Sequence, residues 1–176
     1  MQIRIKNMVC PRCIKVVREE FEKAGGSVAN VQLGEADVGG LELDVVKNIL
    51  EENGFELLQD KDQQTVEKIK LEMLSVVRGG ASVDLKENLS SLLSEKLNKD
   101  YSLLSSLFSS VLGITIEKYF INLKIDYAKE LLVYDELNNS EIARKLDYSS
   151  LGHFSNQFKQ ITGTSPSEFK KRHARR

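Results

Sequence analysis

The 176-residue sequence predicts an α+β protein in three parts: a small domain of strands and helices, a linker helix, and an all-α domain built from a duplicated helix–turn–helix. Three observations carry this reading. Ile116–Tyr134 bears two apolar stripes at helical spacing, the segments flanking it resemble each other at an offset of fifty residues, and residues 1–60 alternate strand-like runs with amphipathic helices. The three parts are expected at 1–60, 61–83 and 84–176.

Taken in order, Gln2–Asn7 alternates Ile3 and Ile5 with Arg4 and Lys6, as a strand does. MVCPRC follows, then a helix with Ile14, Val17 and Phe21 on one side and Gly25–Gly26 as its stop. Val28–Leu33 reads as a second strand. Leu41–Asn53 reads as an amphipathic helix with Leu43, Val46, Ile49 and Leu50 inward, and Gly54–Leu58 as a closing strand. Asp60–Arg78 places Val66, Ile69, Met73, Val76 and Val77 at helical spacing, with Gly79–Ser82 as a hinge behind it. That stripe fits either packing on the first domain or a homodimer contact.

In the C-terminal part, the offset of fifty pairs Leu104 with Phe154, Phe108 with Phe158, Val111 with Ile161, and Gly113 with Gly163. Each copy reads as a short helix, a tight turn and a longer helix closed by a glycine. The supporting helices are Leu89–Leu97 and Ser140–Leu146; the longer ones are Tyr101–Leu112 and Ser149–Thr162. Leu103 or Leu104, Leu107, Phe108 and Val111 face inward in the first copy, and Phe154, Phe158 and Ile161 in the second. Between the copies, Ile116, Tyr119, Phe120, Leu123, Tyr127, Leu131 and Tyr134 form one stripe of the connecting helix. Ile121, Ile125, Ala128 and Leu132 form the other. An ordinary surface helix has one stripe, so this helix needs a partner on each side.

The run Tyr148, Ser149, Phe154, Ser155, Phe158, Lys159, Thr162, Gly163 and Pro166 resembles the DNA-binding domain of the AraC/XylS family, and the resemblance extends over Leu85–Arg172. It implies that the two longer helices enter the major groove of double-stranded DNA. The residues expected to reach DNA are Tyr101, Ser102, Ser105 and Ser106 in the first copy and Ser150, His153, Asn156, Gln157 and Lys159 in the second. Asn and Gln suit adenine, and a serine offers little bidentate readout, so base discrimination is expected mainly from the second copy. The family often has Arg or Gln where Ser105, Ser106 and Asn156 stand, and Lys124 replaces an Arg common in its connector.

The N-terminal order resembles the heavy-metal-associated, ferredoxin-like domain of copper chaperones. Met8, Cys10 and Cys13 match its Met-x-Cys-x-x-Cys motif, and Gly54–Phe55 stands where it has Gly-Tyr. Against that family, VQLGEADVGGL is too short for a full hairpin, so one strand is expected to be clipped or missing. Two thiols at a helix start suit Cu(I) or another soft metal ion, while a closed zinc site wants four ligands. Cys-Pro-x-Cys also resembles the glutaredoxin type, leaving a thiol–disulfide switch open; two small semi-buried residues with no chemistry are the remaining reading.

The net charge of -1 divides unevenly. Residues 1–83 hold 11 Lys/Arg against 14 Asp/Glu, and residues 84–176 hold 14 against 12, ending on Lys170, Lys171, Arg172, Arg175 and Arg176. The basic excess falls where phosphate contacts need it, but it is small. MQIRIK does not open a signal peptide, no run is long enough to span a bilayer, and a bacterial cytoplasmic protein with reduced cysteines is the simplest expectation. No Ser-His-Asp, nucleotide-loop or paired-carboxylate constellation argues for an enzyme. The sequence therefore points to a DNA-binding regulator with a metal-responsive N-terminal domain. A soft-metal trafficking or buffering protein is the competing class, and a regulator whose N-terminal domain senses thiol state or dimerises is the third.

Overall fold

A computed structural model describes residues 1–58, 60–79 and 88–173. The chain separates into two compact units, Met1–Leu71 and Glu72–Arg176. Expectations for Ala81, Ser82, Leu85, Arg175 and Arg176 lie outside the described residues.

The first unit runs β1 (Gln2–Lys6), α1 (Pro11–Lys23), β2 (Ser27–Gln32), β3 (Glu35–Gly39), α2 (Leu43–Glu52) and β4 (Glu56–Leu58). The strands form one antiparallel sheet in the order β2-β3-β1-β4, a split βαβ arrangement. Its alternation is legible in the core: Ile3, Ile5, Val31, Ala36 and Val38 are buried together with Val17 and Phe21 of α1 and Val46 and Leu50 of α2.

The expected clipping of a strand is wrong. Gln32 pairs with Glu35, so only Leu33 and Gly34 are needed for the turn, and the five residues left over form β3. Gly34 makes this possible at φ +82, a left-handed conformation that costs other residues energy. Leu43, expected inward, is exposed at the first position of α2.

The helix expected at 60–78 is α3 (Lys61–Gly79), with Val66, Ile69, Met73, Val76 and Val77 all buried. The division between the units falls within it, between Leu71 and Glu72. Leu71 lies over Gly34 so closely that a Cβ there would overlap its Cδ1.

The second unit continues with α4 (Asn88–Leu97), α5 (Tyr101–Leu112), α6 (Ile116–Tyr134), α7 (Asn139–Lys145), α8 (Leu151–Thr162) and α9 (Pro166–His173). α6 packs against α5 of the first copy and against α7, α8 and α9 of the second. Its buried residues are Ile116, Phe120, Lys124, Ile125, Ala128 and Leu132. At about 100° per residue they cover roughly half the circumference of the helix. Lys124 sits midway between the two apolar stripes, and a helix closed over on both stripes also closes over what lies between.

Lys124 is 3% exposed. Its ammonium lies 4.2 Å from the centre of the Tyr148 ring, a cation–π contact, and 6.0 Å from that of Phe120. Beside it is a cavity of about 20 Å³ lined by Val76, Val77, Phe120, Lys145, Leu146 and Asp147, room for about one water. Burial lowers the Lys124 pKa from the ordinary 10.5 to about 8, with the nearby Asp147 carboxylate opposing the shift.

Tyr134, expected inward, is 73% exposed because α6 outruns its partners before stopping at the left-handed Asp135. Val111 and Ile161, also expected in the core, are each exposed near the ends of α5 and α8. No single helix among the described residues is long and apolar enough to cross a membrane.

Two outcomes follow for stability. Gly54 has φ +79 and open space around it, so Gly54→Ala meets backbone strain alone, about 1–2 kcal/mol. Gly34→Ala must also displace Leu71, so its urea midpoint is expected below that of Gly54→Ala. Lys124 gives a pH signature. Between pH 8 and 10 the unfolded chain keeps the proton that folded Lys124 gives up, so its contribution to stability rises with pH. Above that, Tyr148, whose pKa burial pushes up, acts in the opposite direction. Lys124→Met is expected to raise the urea midpoint at pH 7 and to remove this rise, as unfolding curves from pH 7 to 10 would register.

Candidate nucleic-acid interface

The two longer helices of the repeat share a register. α5 and α8 are each 12 residues long, and each stops on a left-handed glycine, Gly113 at φ +68 and Gly163 at φ +81. In each the cap N–H donates to a carbonyl four residues back, from Gly113 to Ser109 and from Gly163 to Lys159, both at 2.8 Å. Leu104 and Phe108 anchor α5; Phe154 and Phe158 anchor α8. The second anchor is extended by aromatic edges, Phe154 to Phe158 and Phe158 to Phe169, at centroid separations of 5.8 and 5.5 Å.

Local signals fix the supporting elements. Asn138 and Glu141 form a reciprocal capping box at α7: the Asn138 side chain accepts from the Glu141 N–H, and the Glu141 carboxylate accepts from the Asn138 N–H. Ser165 and Glu168 repeat this device before α9. There the Ser165 donors hold the Glu168 carboxyl below its ordinary pKa. Lys170 pairs with Asp135, tying α9 to the end of α6.

The residues expected to reach DNA fall into two groups. Ser102, Ser106 and Asn156 are exposed, and none makes a side-chain hydrogen bond among the described residues. Lys159 is exposed beside the Glu168 carboxylate. His153 is exposed too, with Nδ1 3.1 Å from Ser149 Oγ and its ring edge-on to Tyr148. Ser149, part of the family-like run but not among the residues expected to reach DNA, thus orients the histidine.

The second group has internal partners. Tyr101 donates its hydroxyl to Glu117 at 2.5 Å, pinning the start of α5 to the start of α6. Burial and this acceptor push the phenol pKa up, while the same bond holds Glu117 down. Ser150 caps α8, its Oγ accepting from the His153 N–H at 3.0 Å. Gln157, expected outward, is half-buried and accepts from the Tyr148 hydroxyl at 2.7 Å through Oε1. Ser105 is half-buried. No sequence spacing signals the partners of Tyr101 and Gln157, since each pair joins different elements, whereas a serine at a helix start is a sequence-level capping signal.

The N-terminal thiols form a separate site. Cys10 is the N-cap of α1 and Pro11 opens the helix. The Cys13 N–H donates to the Cys10 carbonyl at 2.9 Å, and the two Sγ atoms lie 3.5 Å apart as free thiols. The hydrogen bonds from the Cys13 N–H and thiol, with help from Arg12, lower the Cys10 pKa. Met8 is fully buried in the sheet core. Among the described residues, no cluster of three or more His, Cys, Asp or Glu is suited to a metal ion. The arrangement therefore offers two soft donors.

Comparisons with known proteins agree with the geometry of the second unit. Residues 93–172 match the family model described as a helix-turn-helix domain. The chain is 33% identical over 64 residues to a probable transcriptional regulator, LumQ, of Photobacterium leiognathi, covering 36% of this chain and 26% of that protein. It is 30% identical over 79 residues to the Msm operon regulatory protein of Streptococcus mutans, covering 45% and 28% respectively. The chain thus spans about a quarter of the length of the curated relatives it matches. Among solved structures, the C-terminal domain of AraT, a response regulator from Geobacillus stearothermophilus, superposes with a TM-score of 0.52 at 25% identity, covering 64% of this chain and 88% of that one. Residues 93–172 thus form a helix-turn-helix domain.

The exposed side chains of α8 set an expectation for base reading. His153→Ala with Asn156→Ala is expected to lower discrimination between a preferred duplex and a scrambled one by roughly ten- to a hundredfold. Ser105→Ala with Ser106→Ala is expected to change it little. Fluorescence anisotropy on both duplexes at one salt concentration measures the ratio.

Proposed function

We propose that the chain is a sequence-specific transcription regulator of the AraC type whose N-terminal domain responds to a soft metal ion such as Cu(I) held by Cys10 and Cys13. The observation that carries the DNA-binding part is the shared register of α5 and α8, with exposed polar side chains on each and α6 packed against both copies. The two heads enter successive major-groove segments of one duplex, about one helical turn apart. Exposed side chains near the helix starts read base edges while basic residues such as Lys159 contact phosphate.

The metal-responsive part rests on the βαββαβ order, which resembles a heavy-metal-associated domain, and on the dithiol at the start of α1. Thiolates are the ligands a soft cation needs, and the lowered pKa of Cys10 favours its ionised form. One closed zinc site per chain does not fit, because only two cysteines are present and both histidines lie in the other half. The same 3.5 Å spacing favours a second reading, reversible disulfide formation between Cys10 and Cys13.

Anisotropy with a promoter duplex separates these readings. One equivalent of Cu(I) under reducing conditions is expected to change wild-type DNA affinity by about tenfold or more, corresponding to a coupling of about 1.4 kcal/mol. Cys10→Ser/Cys13→Ser protein is expected to bind DNA but ignore Cu(I). Equal Cu(I) responses in both proteins would remove the dithiol from regulation. A response to oxidant but not to Cu(I) would select the thiol switch.

A further inference from the structure

The common register of the reading helices makes their outward positions comparable one by one. With Leu104 matched to Phe154, Phe108 to Phe158 and Gly113 to Gly163, Ser106 falls on Asn156 and Leu103 falls on His153. His153 is the exposed, Ser149-oriented side chain of the second head. At the same place in the first head stands an aliphatic side chain that is 57% exposed.

Leu103 is surplus to the core. The inward positions of the first turns of α5 are filled by Leu104 and Phe108, both fully buried. Its outward neighbours are the exposed Ser102 and Ser106, short side chains that let the helix backbone come close to a surface. An isolated exposed leucine is unremarkable on a protein surface. This one, however, stands in the first turn of a reading helix, flanked by the residues that face the groove. The major groove has one apolar feature, the 5-methyl group of thymine, and apolar side chains read it.

We propose that Leu103 is a specificity residue of the first head, packing against the 5-methyl group of a thymine in the major groove. The proposal rests on the DNA-binding reading above and gives the two heads different chemistry. The second discriminates by hydrogen bonds from His153 and Asn156; the first, poor in bidentate groups, discriminates by apolar contact and selects an A·T pair.

The test uses the full chain and a duplex that it enriches from a random-sequence pool at fixed salt. Each thymine is replaced in turn by deoxyuridine, which removes the methyl group and keeps every hydrogen-bonding group. At one position the replacement is expected to weaken wild-type binding about fourfold, the loss of one buried methyl. Leu103→Ala protein, checked for an unchanged thermal midpoint, is expected to bind the thymine duplex more weakly and to be indifferent to the same replacement. His153→Ala protein is expected to retain that sensitivity. Wild-type indifference to every replacement would overturn the proposal, as would an undiminished sensitivity in Leu103→Ala protein. Failure to enrich any duplex would instead overturn the DNA-binding reading, and the Leu103 proposal with it.

Discussion

Burial of both flanks of α6 is the constraint on which the C-terminal domain depends. A helix–turn–helix copy is too small to bury its own apolar face, so Leu104 and Phe108 on one side and Phe154 and Phe158 on the other need a common surface. Ile116 and Phe120 on one stripe and Ile125, Ala128 and Leu132 on the other provide it. Edge-to-face packing of Tyr119 on Phe108, at a centroid separation of 5.3 Å, joins α6 to the first copy. Closing both stripes leaves Lys124 without bulk water. Its charge is met by the faces of Tyr148 and Phe120 and by the field of Asp147, which takes a left-handed conformation at φ +58 in the turn between α7 and α8. The same lysine thus links the connecting helix to the turn that precedes α8.

The two copies keep their packing positions in step while their outward positions differ. Core places accept any apolar group of suitable volume, as Leu104 against Phe154 illustrates, but they must keep their spacing or the helix turns away from α6. Outward places carry no such constraint. Ser106 against Asn156 and Leu103 against His153 differ in hydrogen-bonding capacity, not just in size. On the DNA-binding reading proposed above, equal scaffolds with unequal faces would suit two different segments of one duplex.

Most of the helical half was legible because helical periodicity is strong over long elements. Ile116–Tyr134 was bounded correctly at both ends, and the fifty-residue offset placed both glycine stops. Errors cluster where periodicity outlasts packing: Tyr134, Val111 and Ile161 continue an apolar spacing past the point where a neighbour covers them. In the sheet domain, the missed strand came from asking too much chain of the hairpin. A turn of Leu33 and Gly34 needs no more than a glycine at positive φ, and the alternation of Ala36 and Val38 was present in the sequence to be read. The internal partners of Tyr101 and Gln157 were not legible. Tyr101 meets Glu117 16 residues away through the angle between α5 and α6, and Gln157 of α8 meets Tyr148 nine residues away in the turn before that helix.

Charge decides how much those faces must accomplish. With 14 Lys/Arg against 12 Asp/Glu in residues 84–176, the DNA-binding reading proposed above predicts that few condensed counterions are released on binding, and so a small sequence-independent affinity. Internal pairing reduces the free charge further, since Lys129 meets Asp126 at 2.9 Å and Lys170 meets Asp135. Contrast between right and wrong sites then depends on direct contacts from α5 and α8, and a single head offers few. On that reading, carrying both heads on α6 would make the second encounter intramolecular, at an effective concentration set by the scaffold instead of by the protein in solution. On the same reading the buried stripes of α6 would serve recognition as well as stability: loosening them would weaken each copy's core and also the coupling between the two heads.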